Sequence, residues 1–315
     1  MSPIEPSTTA LIFPGQGSQS PGMGKELAEA YPEARAIFEQ ADDVLDRSIS
    51  TLCFEGPAED LQKTINTQPA LYVTSAAALA AFRAEGFDGA FAAGHSLGEY
   101  TALYAAGSLD FETGLRLVDA RSRAMEQACK NKPGAMAAII GLDEATVAGI
   151  CGEIADTGDL GVVVAANWNS PGQVALSGDE RAVDRAAEMA KEKGAKAAIK
   201  LKVGGAFHSP LMEEAVALLA PELDKAELSK PRLKFVANVT GDFVADSAAI
   251  REGLKSQITS CVRWSDSVLK MAEGGAETFI EIGPGKILTG LVRRIAKSAK
   301  RANIGAPGDL DKLKD

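Results

Sequence analysis

Short apolar runs that alternate with longer helical patterns predict an α/β fold in two parts, a large core built on a parallel sheet and a smaller α+β subdomain set into it. Three observations carry the expectation. The alternation extends from residue 10 to beyond residue 280. It breaks at Asn131-Lys132-Pro133-Gly134, after which the order becomes strand, helix, strand, strand, helix, strand. A chain of 315 residues, 46% of them hydrophobic, can also bury one large core together with an insert.

Taken in order, Ala10-Leu11-Ile12-Phe13 is a first strand, followed by a glycine-rich turn. Apolar residues at helical spacing run through 26–46 and 66–85, residues 87–93 suit a short buried strand, and a further helix falls near 114–129. Beyond the break come strand 135–140, helix 143–157, strands 162–166 and 173–177, helix 180–193 and strand 197–201. This order is the ferredoxin-like pattern, so 133–202 are assigned to the small subdomain, and 1–132 with 203–315 to a discontinuous core. Strands at 235–239 and 278–282 complete the core. A basic helical segment then carries Lys286, Arg293, Arg294, Lys297, Lys300 and Arg301, and residues 305–315 read as a polar tail.

A net charge of −10 argues against general nucleic-acid binding. The four cysteines, Cys53, Cys129, Cys151 and Cys261, lack metal-site spacing and read as reduced structural thiols, so no metal is expected. Residues 1–9 lack the basic-then-apolar plan of a signal peptide, and no apolar run reaches membrane-spanning length. The expectation is a cytoplasmic protein with no membrane partner.

Ser96 stands in Gly94-His95-Ser96-Leu97-Gly98, between the apolar stretch 87–93 and a helical run that ends at Gly107. Strand, sharp turn and helix in this order make a nucleophile elbow, with glycines where side chains would strike the neighbouring strand and helix. The turn exposes Oγ and leaves the Leu97 amide free at a helix N-terminus to face a developing oxyanion. Such a hydroxyl needs a general base, and the chain has two histidines, His95 and His208. His95 adjoins Ser96 and points elsewhere at a tight turn. His208, in a loop before a helix whose first turn holds Pro210, is the better candidate, and serine-then-histidine is the order of a hydrolase-like core.

Gly114, Leu117, Val118, Arg121, Met125 and Ala128 share one helical face, so Arg121 lies in an apolar stripe. Its guanidinium keeps its proton there and requires an anionic partner, either a protein carboxylate or a ligand.

Five co-linear stretches now define a resemblance: Leu11-Ile12-Phe13-Pro14-Gly15-Gln16-Gly17-Ser18-Gln19, Gly94 to Tyr100, Asn167-Trp168-Asn169-Ser170-Pro171-Gly172-Gln173, Gly205 to Met212, and Glu281-Ile282-Gly283-Pro284-Gly285-Lys286. Over about residues 9 to 300 the chain resembles the malonyl-coenzyme A:acyl carrier protein transacylases and, more broadly, the acyltransferase domains of fatty acid and polyketide synthases. The resemblance implies that Ser96 takes malonyl from malonyl-CoA, a substrate rather than a cofactor, and passes it to the phosphopantetheine thiol of an acyl carrier protein. It further implies an oxyanion hole from the amides of Gln16 and Leu97, and Arg121 gripping the malonyl carboxylate with Met125 on the same face. Phe207 would occupy the space that a branched acyl unit needs. The base would be held by a backbone carbonyl, assigned to Arg263, which stands where many family members have a glutamine before the tryptophan. A Ser-His dyad without an acidic third member is therefore expected.

Two alternatives stay open, a serine thioesterase or hydrolase of the α/β class and an acyltransferase serving polyketide synthesis. An acidic carrier would need a local basic face to offset the net charge, and Lys191, Lys193, Lys196, Lys200 and Lys202 are expected to flank the cleft jointly with the C-terminal cations.

Overall fold

The computed structural model describes residues 4–314. Among them the strands are β1 (Thr9–Phe13), β2 (Phe91–Gly94), β3 (Ala135–Ile140), β4 (Val163–Ser170), β5 (Gln173–Gly178), β6 (Ala197–Lys200), β7 (Lys234–Phe235), β8 (Thr278–Ile282) and β9 (Lys300–Ile304). They form a five-stranded sheet in the order β7-β2-β1-β8-β9 and a four-stranded sheet in the order β4-β5-β3-β6.

The large sheet is parallel throughout, with β1 at its centre, Ile12 opposite Ala93 on one side and Glu281 on the other. Every residue of β1 is buried, as a strand covered by helices on both faces requires. Leu11 and Phe13 join Ile280 and Ile282 in one core, while Ala10 and Ile12 join Phe279 and Trp264 in the other.

The small sheet is antiparallel throughout. Helices Glu144–Thr157 and Glu180–Glu192 cover it and close a separate apolar core around Ile139, Ile150, Leu176 and Val183. Asp143 starts the first of these helices by accepting the Thr146 amide at 2.7 Å. Val262, buried in the core beside Trp264, bridges to the small sheet: its N–H donates to the Ala166 carbonyl and its carbonyl accepts from the Trp168 amide, each at 2.9 Å.

Several expected elements take a different form. The 26–46 segment is two helices, Lys25–Ala30 and Pro32–Leu45, because Pro32 holds Tyr31 extended and then fits the first turn of the second helix. The strand expected at 235–239 stops at Phe235, and Asn238 turns inward instead to make side-chain hydrogen bonds. The basic segment divides into helix Ile287–Ile295 and edge strand β9. The tail at 305–315 contains a helix, Pro307–Lys314, whose Leu310 and Leu313 are buried in the main core. Among the described residues no helix is long and apolar enough to cross a membrane.

Candidate active site

The elbow at the end of β2 is built from steric necessity. A Cβ on Gly94 would strike the backbone of Gly98, and a Cβ on Gly98 would strike the Phe13 carbonyl, so strand and helix close tightly around the turn. Ser96 sits at the apex with φ 51°, a left-handed conformation that a serine keeps only when its surroundings hold it. Two side-chain amides do so. Asn238 Oδ1 accepts the Ser96 N–H at 2.8 Å, and Gln257 Nε2 donates to the Ser96 carbonyl at 2.8 Å.

His208 arrives on the loop returning from β6. Ser209 follows it, accepts the Leu211 amide at 3.3 Å, and starts the short turn Pro210–Met212 that leads into helix Glu213–Lys225. His208 Nε2 lies 2.8 Å from Ser96 Oγ, and Nδ1 lies 2.8 Å from the Gln257 carbonyl oxygen. A carbonyl only accepts, so Nδ1 carries the hydrogen and Nε2 presents its lone pair to the serine. Burial, aided by the nearby charge of Arg121, lowers the His208 pKa to about 3, so the imidazole is neutral at physiological pH and its Nε2 lone pair is unprotonated. No carboxylate touches it among the described residues. The orienting carbonyl is thus Gln257's and not Arg263's. The Arg263 carbonyl is turned into the first turn of helix Trp264–Glu273, where it accepts from the Ser267 amide and hydroxyl.

Arg121, on helix Phe111–Asn131, is fully buried and donates through Nη2 to Ser96 Oγ at 3.1 Å and to Gln257 Oε1 at 2.9 Å. Nη1 donates to Gln68 Oε1 at 2.6 Å, and Nε has no partner. Gln68 Nε2 in turn reaches Gln16 Oε1 at 3.4 Å and Met125 Sδ at 3.4 Å. A cavity of about 300 Å³ opens at Ser96 between the two sheets, lined by Gln16, His95, Phe207 and His208 on the core side and by Met136, Ala138 and Ala175 of the small sheet. Met125 is not in its wall: it packs in the core behind Gln68. Among the described residues the Leu97 and Gln16 amides have no hydrogen-bond partner, which leaves both for a ligand oxygen. His95 Nε2 donates to Asn169 Oδ1 at 2.8 Å, because the amide oxygen only accepts, and the ring lines the cavity with that nitrogen protonated.

Sequence reasoning missed three residues of the site. Glu99, buried in the helix after the elbow, accepts the Asn238 amide at 2.9 Å on Oε1 and a hydrogen bond from Gln257 Nε2 on Oε2. Burial raises its pKa to about 7 against the opposing pull of these donors and of Arg121. A lone carboxylate in an otherwise apolar helical run was a signal available for it, whereas Asn238 and Gln257 offered none. Of the basic residues, Lys200 pairs with Glu180 and Asp184, so its charge is already matched. Among the described residues Lys286, Arg293 and Lys297 are exposed and form no ion pair, and no group of three or more His, Cys, Asp or Glu could hold a metal ion.

The chain matches the acyl transferase domain over residues 10–306. It is 44% identical over 305 residues to the malonyl CoA-acyl carrier protein transacylase of Bacillus subtilis (strain 168), covering 97% of this chain and 96% of that protein. Among solved structures, the acyl-carrier-protein S-malonyltransferase of Burkholderia pseudomallei 1710b superposes with a TM-score of 0.93 at 40% identity, covering 98% and 100% of the two chains. A malonyl-transacylase solved in complex with a type II PKS acyl-carrier protein gives a TM-score of 0.93 at 40% identity, covering 98% and 99%.

Proposed function

The chain belongs to the acyl transferase family, among its malonyl CoA-acyl carrier protein transacylases, and on that footing we propose that it moves malonyl from malonyl-CoA to the phosphopantetheine thiol of an acyl carrier protein, supplying units for fatty acid synthesis. One observation carries the reading: the base His208 and the cation Arg121 both reach the same oxygen, Ser96 Oγ.

Ser96 Oγ attacks the thioester carbonyl of malonyl-CoA as its proton passes to His208 Nε2. The amides of Leu97 and Gln16 receive the oxyanion. Collapse breaks the carbon–sulfur bond, and the imidazolium returns the proton to the departing thiolate, leaving malonyl esterified to Ser96. The carrier thiol repeats the sequence in reverse, so no cofactor takes part. The malonyl carboxylate lies against Arg121, and Phe207 narrows the cavity beside His208 against an added methyl. We assign the reaction to the cytoplasm, where the four free cysteines suit a reducing compartment.

Intact mass of the protein after mixing with malonyl-CoA tests the proposal. A single malonyl adduct is expected, cleared by a holo carrier protein; Ser96→Ala gives none, and His208→Ala acylates on the order of a hundredfold or more slowly. Rapid release of free malonate, with no transfer to thiol, would identify a hydrolase instead. Because a structural neighbour is seen with a type II PKS carrier, carriers of both pathways are compared by kcat/KM.

A further inference from the structure

A buried guanidinium ordinarily rests on a carboxylate. Arg121 does not: its hydrogen bonds go to Gln68, Gln257 and Ser96, all neutral, and Nε is unpartnered. The buried carboxylate nearest along this network, Glu99, is separated from it by one side-chain amide. Gln257 donates to Glu99 through Nε2 and accepts from Arg121 through Oε1, so the amide dipole lies in line between anion and cation. Both oxygens of Glu99 are occupied by N–H donors, from Asn238 and Gln257, and these same two residues hold the Ser96 peptide on its N–H and carbonyl sides.

We propose that Glu99 is a positioning residue for acyl selection, acting on Arg121 through the Gln257 side chain, which holds the guanidinium in place while keeping a carboxylate off it. This rests on the malonyl-transfer reading. A carboxylate bonded directly to Arg121 would compete with that of malonyl for the same N–H groups. A neutral residue at 99 would fail differently, because an amide offers one oxygen to two facing donors and leaves one of them unmet. The arrangement found meets both demands, since it compensates the buried cation from one residue away and leaves the guanidinium without a carboxylate of the protein bonded to it.

Three nearly isosteric variants test this: Glu99→Gln, Gln257→Glu, and the double variant, which conserves charge but moves the carboxylate onto Arg121. The readout is the ratio of malonyl to acetyl acylation efficiency, followed by intact mass at saturating and subsaturating CoA thioester, with a thermal melt for each variant. The ratio is expected to fall about tenfold or more in each single variant, the effect of losing one charged hydrogen bond, and not to recover in the double variant. Recovery in the double variant would mean that only charge balance matters and would overturn the role, as would equal loss of malonyl and acetyl transfer or an unchanged ratio. If Glu99→Gln does not fold, Gln257→Glu and the double variant decide. A malonyl adduct on the unsubstituted chain is the control: without it the transfer function itself falls, whereas an adduct with unchanged ratios overturns Glu99's role alone.

Discussion

Replacing Arg121 with alanine separates choosing the acyl group from transferring it. Nη2 lies 3.1 Å from Ser96 Oγ, so an acyl group esterified there carries its carboxylate back toward the guanidinium. Two charge-assisted hydrogen bonds at about 1.5–3 kcal/mol each make that carboxylate worth about 3–6 kcal/mol. At about 1.4 kcal/mol per factor of ten, the malonyl-to-acetyl ratio of acylation efficiencies should fall by about 10²–10⁴. The substitution does not strand a buried anion. Glu99 already has a pKa of about 7, Arg121 is one of the groups lowering it, and without that cation the carboxyl takes up a proton at neutral pH. Rapid quench of the enzyme with malonyl-CoA or acetyl-CoA, over a range of concentrations and read by intact mass, gives both efficiencies. A proportional loss of both acyl groups would refute the assignment and make Arg121 a structural ion.

Glu99, raised from 4.5 to about 7, favours folding as pH falls through 7, a gain complete below 4.5; His208, lowered from 6.5 to about 3, gives stability that is present above 6.5 and lost as pH falls. The two nearly cancel in the unsubstituted chain between pH 6.5 and 4.5. Glu99→Gln removes one side, so its urea-unfolding free energy should drop by on the order of 2 kcal/mol more than that of the parent from pH 7 to about pH 5, and parallel profiles would refute this. Leu310→Ala should cost about 2–5 kcal/mol in the same assay, since the side chain is fully buried in the main core; a cost near zero would return residues 305–315 to a polar tail. For carrier docking, Lys286→Glu should raise the apparent KM for carrier protein by about three- to tenfold at low salt and leave malonylation from CoA alone. Lys200→Glu should do less, its charge being matched by Glu180 and Asp184, and the reverse ranking would move the docking face to the small sheet.

How much of this is legible in the sequence depends on what each feature demands of its residues. The elbow is legible because Gly94 and Gly98 answer a steric demand that other residues fail. In the small sheet β3, β5, β6 and the first half of β4 are legible as short apolar runs bounded by turn residues or a helix cap such as Asp143, whereas β4 continues through the polar Asn167–Ser170, beyond the expected end at 166. The C-terminal helix is not, since two apolar positions, Leu310 and Leu313, are too few to lift a periodicity above a polar background. The carbonyl that holds His208 is illegible for a deeper reason: every residue type has one, so nothing in the side chains of Arg263 or Gln257 chooses between them. Asn238 and Gln257 share that silence, because their amides act through positions that only the folded chain brings together.

The placement of β1 has a consequence for how this chain must be made. Thr9–Phe13 leaves the ribosome before either of its partners, Phe91–Gly94 on one edge and Thr278–Ile282 on the other. Until the last of these is synthesised, the nascent sheet carries an open apolar edge in its middle, the state in which strands pair wrongly with other chains. The small sheet has no such wait, since Ala135–Lys200 contains all of its strands. Synthesis therefore completes the insert before its host, and the helix Pro307–Lys314, made after every strand of both sheets, seals Leu310 and Leu313 into the core that Leu11 and Phe13 begin.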